Sequence, residues 1–305
     1  MNPIVIKFGG YQKPASIHNR AAARFGEILK AKLGDRIVFE LIGDVLALGR
    51  GSGDLLPMVE RGELSCCYIS TVRFTGWVPE FKLLELPFVV KSRPSIIHAL
   101  NGGLGDYLKQ RVRETTPYRV LGFWDNGFRH FSNRVRPIRA PAACKGLRIR
   151  TQMSALHGEV FRMLGFEPIP ADVKEFVAEI AGDKFQAQDN PLTNIYNFGV
   201  HKYHRYITLS GHFFGASAMA FNEREYQSWP ADVRAVVDAA ALEATALQHQ
   251  LAAAEDAEIL AKLNPQDNDV ISLTAEEHAA FVAAVQPVLA KYRKELGPKL
   301  FSYLE

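Results

Sequence analysis

The sequence predicts an α/β protein of two lobes, and three observations lead to that expectation. The chain has 305 residues, which is long for one compact core and suits two lobes of about 100–200 residues each. Short apolar strand patterns alternate with helical patterns up to residue 125, which is typical of a largely parallel sheet. A second α/β run follows the turn-forming pair Asn126-Gly127. We therefore expect a cleft between two lobes.

The individual elements follow from apolar spacing and from the glycines and prolines that interrupt it. In the first lobe the patterns predict strands at residues 4–8, 36–42, 65–69 and 119–123, and helices at 17–33, 55–61 and 96–112. In the second lobe they predict strands at 128–132, 147–150, 168–170, 184–188 and 206–209, and helices at 153–164 and 173–180.

The apolar stretch 216–221 is expected to return to the first lobe, so that both lobes are discontinuous. The predicted first lobe is 1–125 plus about 213–250, and the second is 126–212 plus about 251–305. Residues 230–263 contain almost no glycine or proline and predict one long helix spanning both lobes. Thr274 and Glu277 form a capping-box pattern that opens the last predicted helix, 275–296.

The composition is that of an ordinary globular protein, with 48% hydrophobic and 23% charged residues. The net charge of +3 is small and its cations are scattered, which disfavours nucleic acid as a partner. Cys66, Cys67 and Cys144 are too few for a disulfide framework, and we interpret them as core thiols.

No apolar run is long enough to cross a membrane, so no membrane insertion is expected. Met1-Asn2-Pro3 leads directly into the first predicted strand, without the charged and apolar regions of a secretory signal. Either a leader has been removed, or the protein is cytoplasmic.

No enzyme motif is recognisable: the chain lacks a nucleophile elbow, a phosphate loop, a dinucleotide fingerprint and a His-Glu-x-x-His pair. Gly51-Ser52-Gly53 lacks the lysine of a phosphate loop and predicts a plain turn. His201 and His204 lie three residues apart, but a metal site needs further ligands, and Asp189 is distant in sequence. We therefore expect no metal, no cofactor and no catalytic residue.

Arg129 and Arg150 each stand at the end of a predicted second-lobe strand. Strand ends line the ligand crevice of open α/β sheets. A guanidinium there offers two parallel hydrogen bonds to a carboxylate and keeps its charge. From the residues alone, a structural salt bridge remains the alternative for either arginine.

Several segments keep the order and approximate spacing of a known family. They are Gly-Glu-Leu at 62–64, Gly-Trp-Val-Pro-Glu-Phe at 76–81, Leu-Pro-Phe at 86–88, Gly-Phe-Arg-His-Phe-Ser-Asn at 127–133, Lys-Gly-Leu-Arg-Ile-Arg at 145–150 and Gln-Asp-Asn-Pro at 188–191. With the long helix, the chain resembles over nearly its whole length the solute-binding proteins of tripartite ATP-independent periplasmic (TRAP) transporters, the dicarboxylate-binding-protein-like DctP family.

The resemblance implies a periplasmic-binding-protein-like fold of type II, periplasmic location after removal of a leader, membrane permease subunits as partners and a monomeric state. It also implies that Arg150 forms a salt bridge with the carboxylate of a small organic acid, and that Arg129 and Asn190 line the same pocket. The chain departs from the family pattern at Gln186-Ala187, at Asp189 and at 141–144. The particular acid is therefore not predicted.

Other candidates follow the first-lobe strands or lie where the chain recrosses: Tyr11, Ser70, Arg73, His212, Phe213 and Phe214. Arg73 would suit a second acidic group on the ligand, unless it is a solvated loop charge. The aromatic residues would suit an apolar or aromatic tail, unless they belong to the core.

Two other functions are open at this stage. One is a sensor module that binds the same acid and signals to a receptor. The other is an enzyme on the same fold, with His212 or His130 as a general base, although no nucleophile or metal pattern accompanies either histidine.

Overall fold

The computed structural model describes residues 3–304 as an α/β protein. Its strands are β1 (Ile4–Gly9), β2 (Ile37–Ile42), β3 (Cys66–Ser70), β4 (Tyr118–Asn133), β5 (Arg148–Thr151), β6 (Glu167–Pro170), β7 (Ala187–Pro191), β8 (Tyr206–Asn222) and β9 (Asp269–Ser272). Its α-helices are α1 (Ile17–Leu33), α2 (Leu55–Glu60), α3 (Arg93–Asn101), α4 (Gly103–Thr115), α5 (Ala155–Met163), α6 (Val173–Ala178), α7 (Leu192–Asn197), α8 (Glu223–Ser228), α9 (Ala231–Lys262), α10 (Ala275–Ala284), α11 (Gln286–Leu296) and α12 (Pro298–Phe301).

The chain divides into two compact units. Unit 1 comprises the chain up to Val78 together with Ile97–Asp125 and Ala216–Ala254. Unit 2 comprises Pro79–Ile96, Asn126–Gly215 and the chain from Glu255 onward.

Unit 1 is built on a sheet in which β1 pairs in parallel with β2 and β3, and β3 pairs antiparallel with the end of β8. Helix α1 is capped at its N-terminus by Ser16, whose side chain accepts a hydrogen bond from the Asn19 N–H, and at its C-terminus by Gly34, where φ is 56°. The aromatic core includes Phe8, which stacks on Trp124 with ring centroids 6.1 Å apart.

In unit 2, β4 pairs antiparallel with β7, β5 pairs in parallel with both β6 and β7, and β9 pairs in parallel with β8. The β4–β7 register places His130 opposite Asn190 and Phe131 opposite Asp189. The β5–β7 register places Arg150 opposite Gln188. These strand pairs bring the polar residues of three separate sequence motifs side by side.

The long helix predicted over 230–263 is confirmed as α9, Ala231–Lys262. Its residues up to Ala254 belong to unit 1 and those from Glu255 belong to unit 2. The prediction that the three cysteines are core thiols is also confirmed, since all three are free and buried. Among the described residues, no helix combines the length and the apolar character that crossing a bilayer requires.

Two long strands, β4 and β8, each include segments that the sequence analysis treated as separate. The pair Asn126-Gly127 predicted a turn, but Gly127 adopts a φ of 92° inside β4 and the strand continues through it. Gly211, at a φ of 57°, is accommodated in the same way inside β8. The pairs β1–β2 and β1–β3 are parallel, as the sequence predicts for the first lobe, whereas β8 pairs with β3 in the antiparallel direction.

Two predicted helices are each divided in two. The helix at 96–112 is interrupted at Gly102, so that α3 and α4 are separate. The helix at 275–296 is interrupted at Val285, immediately before α11, whose second residue is a proline.

The segment Pro79–Ile96 belongs to unit 2, although the sequence analysis groups it with the first lobe. Its contacts explain this position. The Glu85 carboxylate lies 2.8 Å from His157 Nε2, and the Phe88 N–H donates to the His212 carbonyl over 2.8 Å.

Candidate functional site

Arg129 forms a buried ion pair with Asp189. Arg129 Nε lies 2.5 Å from Asp189 Oδ2, and its Nη2 donates to the Asp189 backbone carbonyl over 2.6 Å. Arg129 is 1% exposed and Asp189 is fully buried. The arginine predicted to line a ligand pocket is therefore held by an acidic side chain of unit 2 in this structure.

The charge on Asp189 is stabilised by its neighbours. Burial alone would raise the pKa of the Asp189 carboxyl, but the Arg129 guanidinium, with a smaller effect from His212, holds that pKa well below its usual range. Asp189 Oδ1 has no hydrogen-bond partner within the part of the chain that the structure describes. The Asp189 carboxylate thus remains ionised although it is buried.

His212 completes this buried cluster. Its Nε2 lies 3.5 Å from Asp189 Oδ2, and its ring stacks on Phe131 with centroids 4.2 Å apart. Its Nδ1 lies 2.7 Å from the Ser210 hydroxyl oxygen. Burial lowers the pKa of His212 to about 4, although Asp189 acts in the opposite direction.

Ser210 and Asp189 lie on opposite sides of the His212 ring, but on the ring nitrogens opposite to those used in hydrolase triads, and the surroundings do not suit general base catalysis. All three side chains are buried to within 1% exposure, and Asp189 is already engaged by Arg129. A general base acts best with a pKa near the working pH, and that of His212 is about 4. The arrangement favours a structural or binding role for these residues.

Arg150 lies near the carboxyl end of β5 and is 3% exposed. Its Nε and Nη2 both donate to the Ala171 carbonyl, over 3.0 and 2.7 Å. The guanidinium carbon also lies 5.3 Å from the centre of the Phe176 ring. These contacts fix the plane of the guanidinium, with its Nε–Nη2 edge directed at the Ala171 carbonyl.

Asn190 belongs to a chain of buried side-chain hydrogen bonds. Its amide nitrogen donates to Gln188 Oε1, and its Oδ1 accepts from Asn194 Nδ2 over 3.2 Å. Gln188 Nε2 in turn donates to the Ser132 hydroxyl over 2.6 Å, and Ser132 contacts His204 Nδ1. The orientation of the Asn190 amide is therefore set by strands β4 and β7 and helix α7 together.

Phe213 and Phe214 are 1% exposed and pack inside unit 2. Phe213 stacks on the His157 ring with centroids 4.2 Å apart, and Phe214 meets Phe128 edge to face at 5.4 Å. Their contacts fit the core alternative that the sequence analysis left open for the aromatic residues.

The remaining candidates lie in unit 1. Tyr11 is 5% exposed, and its ring lies 5.5 Å from that of Tyr68. Ser70 is buried at the end of β3, directly before a short 3₁₀ turn that carries Arg73. Arg73 is half-buried, and its Nη2 donates to the Ser52 hydroxyl over 3.2 Å.

Sequence reasoning missed three members of these clusters. It did not identify Asp189 as the partner of Arg129, nor Glu85 as the partner of His157. Gln188 carried a motif signal, since it opens the segment 188–191, but its contact with Asn190 depends on side-chain direction.

Hydrogen-bond donors from separate motifs lie on neighbouring strands of unit 2. Arg129, Arg150 and Asn190 supply guanidinium and amide donors within a few residues of one another on neighbouring strands of unit 2. A guanidinium can give a carboxylate two parallel hydrogen bonds, so donors of this kind suit a carboxylate ligand.

A model of the DctP family, described as "Bacterial extracellular solute-binding protein, family 7", matches residues 8–295. The C4-dicarboxylate-binding periplasmic protein DctP of Rhodobacter capsulatus is 25% identical over 297 residues, covering 97% of this chain and 88% of that protein.

Solved structures give the same picture of the fold. A TRAP periplasmic solute-binding protein from Sulfurospirillum deleyianum, with bound succinate, superposes with a TM-score of 0.93 at 24% identity, covering 100% of this chain and 99% of the other. The sugar acid binding protein DctPAm from Advenella mimigardefordensis, in complex with galactonate, superposes with a TM-score of 0.94 at 22% identity, covering 100% and 97%.

Proposed function

The chain belongs to the bacterial extracellular solute-binding proteins of family 7, the DctP family, and we propose that it captures a small organic acid by its carboxylate. It is a solute-binding protein of the TRAP transport type and not an enzyme.

The orientation of Arg150 is the observation that carries the proposal. A buried guanidinium costs desolvation energy, which good geometry and additional hydrogen bonds must offset. Ala171 and Phe176 already hold Arg150 in one plane, so a carboxylate would meet an oriented guanidinium and little side-chain freedom would be lost on binding. We infer that Arg150 forms the main salt bridge with the solute.

Arg129 and Asn190 are proposed as secondary contacts. Arg129 is paired with Asp189, so its interaction with a solute would be shared with that carboxylate. Asn190 is oriented by Gln188 and Asn194, and it can offer an amide to a hydroxyl or carboxylate oxygen.

We propose that Tyr11, Ser70, Arg73 and His212 also contact the solute, whereas the packing of Phe213 and Phe214 favours a core role for them. Arg73 would then favour a solute with a second acidic group.

The named relatives support a carboxylate as the shared feature of the solute. Succinate is bound by the Sulfurospirillum deleyianum protein and galactonate by the Advenella mimigardefordensis protein. Dicarboxylates and sugar acids differ in length and hydroxyl content, but each presents a carboxylate. We propose a small organic acid of one of these classes.

The family assignment supports transport through a TRAP membrane permease. We propose that the protein acts in the periplasm, as a monomer, and delivers the bound acid to the permease subunits.

A thermal-shift panel of C4-dicarboxylates, sugar acids, 2-oxo acids and aromatic acids tests the proposal. A ligand that binds only the folded protein stabilises it by about 2.7 kcal/mol at a hundredfold excess over its dissociation constant. We expect one class to raise the melting temperature, and the shift to disappear in Arg150→Ala.

Arg148→Ala is the matched control. Arg148 lies on the same strand, and its guanidinium contacts the backbone carbonyls of Asp183 and Lys184. The control should keep the ligand-induced shift. A ligand-induced shift in melting temperature that persists in Arg150→Ala would show that Arg150 is not the anchor. If no class of acid raises the melting temperature of the wild type, mass spectrometry of the denatured protein would reveal whether a co-purified acid already occupies the site.

A further inference from the structure

Unit 2 contains a cavity of about 450 Å³ whose described lining does not include Arg129, Arg150 or Asn190. It is lined by Phe88, Val90, Lys91, Phe128, His130, Leu192, Leu209, Ser210, Gly211, Asp256, Leu260 and His278. A volume of this size lies within the usual range of small-molecule sites, about 300–1,000 Å³. Six of the lining residues have apolar side chains, as such sites commonly do.

One polar group has a fixed role in this cavity. The backbone N–H of Gly211 donates to His130 Nδ1 over 3.1 Å, so Nδ1 is the acceptor and the ring proton lies on Nε2. His130 is 9% exposed, and burial lowers its pKa to about 3, which keeps the ring neutral. The cavity wall therefore carries a buried, tautomer-fixed N–H donor.

The charges at the cavity favour an acidic head group. Asp256 accepts a hydrogen bond from Arg93 Nη2 over 2.6 Å, so its negative charge is compensated. Lys91 Nζ donates to the Phe88 carbonyl over 2.8 Å, and its ammonium group has three donors in all. Lys91 is thus the lining cation without a carboxylate partner among the ion pairs of the described residues.

The backbone of Phe88 adopts a conformation that bulky residues rarely adopt. Among residues 3–304, Phe88 is the non-glycine residue with a positive φ, 58°. The Phe88 N–H donates a hydrogen bond to the His212 carbonyl of β8, which holds this part of the cavity lining in place. Strain of this kind persists where the surroundings impose it, and it is concentrated at ligand sites.

We propose that this cavity is a second ligand site, which binds a monocarboxylic acid with an apolar tail. The carboxylate lies between the Nε2–H of His130 and the ammonium group of Lys91. The tail packs between Leu260 of α9 and the side chains of Phe128 and Leu209. This site is additional to the proposed solute site and does not depend on Arg150.

The test uses 4-phenylbutyrate as the probe, with 4-phenylbutan-1-ol as its match without a carboxylate. Calorimetric titrations are made in the Arg150→Ala background, so that a carboxylate at the proposed solute anchor does not contribute. We expect 4-phenylbutyrate to bind the Arg150→Ala variant at the cavity with the affinity that the same cavity shows in the wild type. We expect the alcohol to bind about tenfold more weakly, because it lacks the charge-assisted hydrogen bonds.

Adding Leu260→Trp fills the cavity with an indole ring and should abolish binding of the acid. Leu242→Trp is the matched control, because Leu242 lies on the same helix and is 72% exposed. Leu209→Trp, which fills the cavity from β8, replaces Leu260→Trp if that variant does not fold. His130→Phe should weaken binding of the acid about tenfold and leave that of the alcohol less affected.

Three results would overturn the proposal: no binding of the acid at millimolar concentration, binding that survives both cavity-filling variants, or binding that Arg150→Ala alone removes. The last result would place the probe in the solute site and would leave the proposed function intact. If no organic acid of the thermal-shift panel raised the melting temperature of the wild type, that result would contradict the proposed function. It would not bear on the proposed cavity site.

Discussion

Arg129 Nε and Asp189 Oδ2 lie 2.5 Å apart, although the two residues are separated by 60 positions in the chain. Their pairing follows from the antiparallel register of β4 and β7, in which Asp189 stands opposite Phe131 and Arg129 opposite Pro191. Both side chains are excluded from solvent. Each charge is therefore tolerated only because the other is present.

Replacing Asp189 should destabilise the protein strongly. Asp189→Asn keeps the size of the side chain but leaves the buried guanidinium of Arg129 without a counter-charge. Breaking a buried pair from one side costs about 3–5 kcal/mol. The loss is measured as the free energy of unfolding in urea at pH 7.

Asp232→Asn is the control for this loss. Asp232 pairs with Arg36 at 2.7 Å, but both side chains are more than half exposed. Solvent screens this pair, so the substitution should change the free energy of unfolding far less. Equal losses in the two variants would show that burial of the Arg129 pair has no energetic consequence.

Arg150→Lys should weaken solute binding by at least about tenfold. A lysine keeps the positive charge but cannot offer the two parallel donors of a guanidinium fork. The dissociation constant is measured by titration with the acid that the thermal-shift panel identifies. Arg148→Lys, on the same strand, should bind like the wild type, and an unchanged affinity in Arg150→Lys would exclude bidentate recognition.

The sequence predicted the elements whose signals are local. Helix α1 was predicted with both its ends correct, because Ser16 and Gly34 mark its termini. The long helix α9 was predicted within one residue at each end, because glycine and proline are nearly absent from it. Such elements are specified by residues that lie within the helix or within a few positions of its ends.

Features that depend on tertiary structure were not predictable in the same way. Asn126-Gly127 has the composition of a turn, yet the pairing of β4 with β7 carries the strand through it. The sequence singled out Arg129 by motif and strand position, but it gave no sign that Asp189 is its partner. That contact depends on the register of two strands and on the direction of both side chains.

Stability should fall as the pH falls below about 6.5, and His18 should contribute to the loss. Burial lowers the pKa of His18 to about 3, and neither ring nitrogen has a hydrogen-bond partner among the described residues. A group whose pKa is lowered in the folded state stabilises it above the unfolded pKa, and this contribution is lost as the pH falls toward the folded pKa.

For His18 the expected loss between pH 7 and pH 5 is about 2 kcal/mol. His18→Phe cannot take up a proton, so its free energy of unfolding should vary less between these two pH values. His98→Phe, at an exposed position of unit 1, should keep the wild-type dependence. A His18→Phe variant with the full wild-type dependence would assign the effect to other groups.

Glu255 should produce the opposite dependence. It lies on α9, where burial raises the pKa of its carboxyl to about 7, assisted by the charges of Asp256 and Glu258 and opposed by a hydrogen bond with Thr193. A carboxyl whose pKa is raised in the folded state contributes its full stability below the unfolded pKa near 4. That contribution is lost as the pH rises through about 7.

Glu255→Gln should therefore unfold less readily than the wild type at pH 8, by on the order of 2 kcal/mol, and show little gain at pH 5. The amide keeps the size and hydrogen-bonding ability of the protonated acid but cannot ionise. Glu258→Gln, at an exposed position of the same helix, separates this effect from a general loss of negative charge. If the two variants gain equally at pH 8, the stabilisation comes from reduced repulsion along α9, and burial of Glu255 is not its cause.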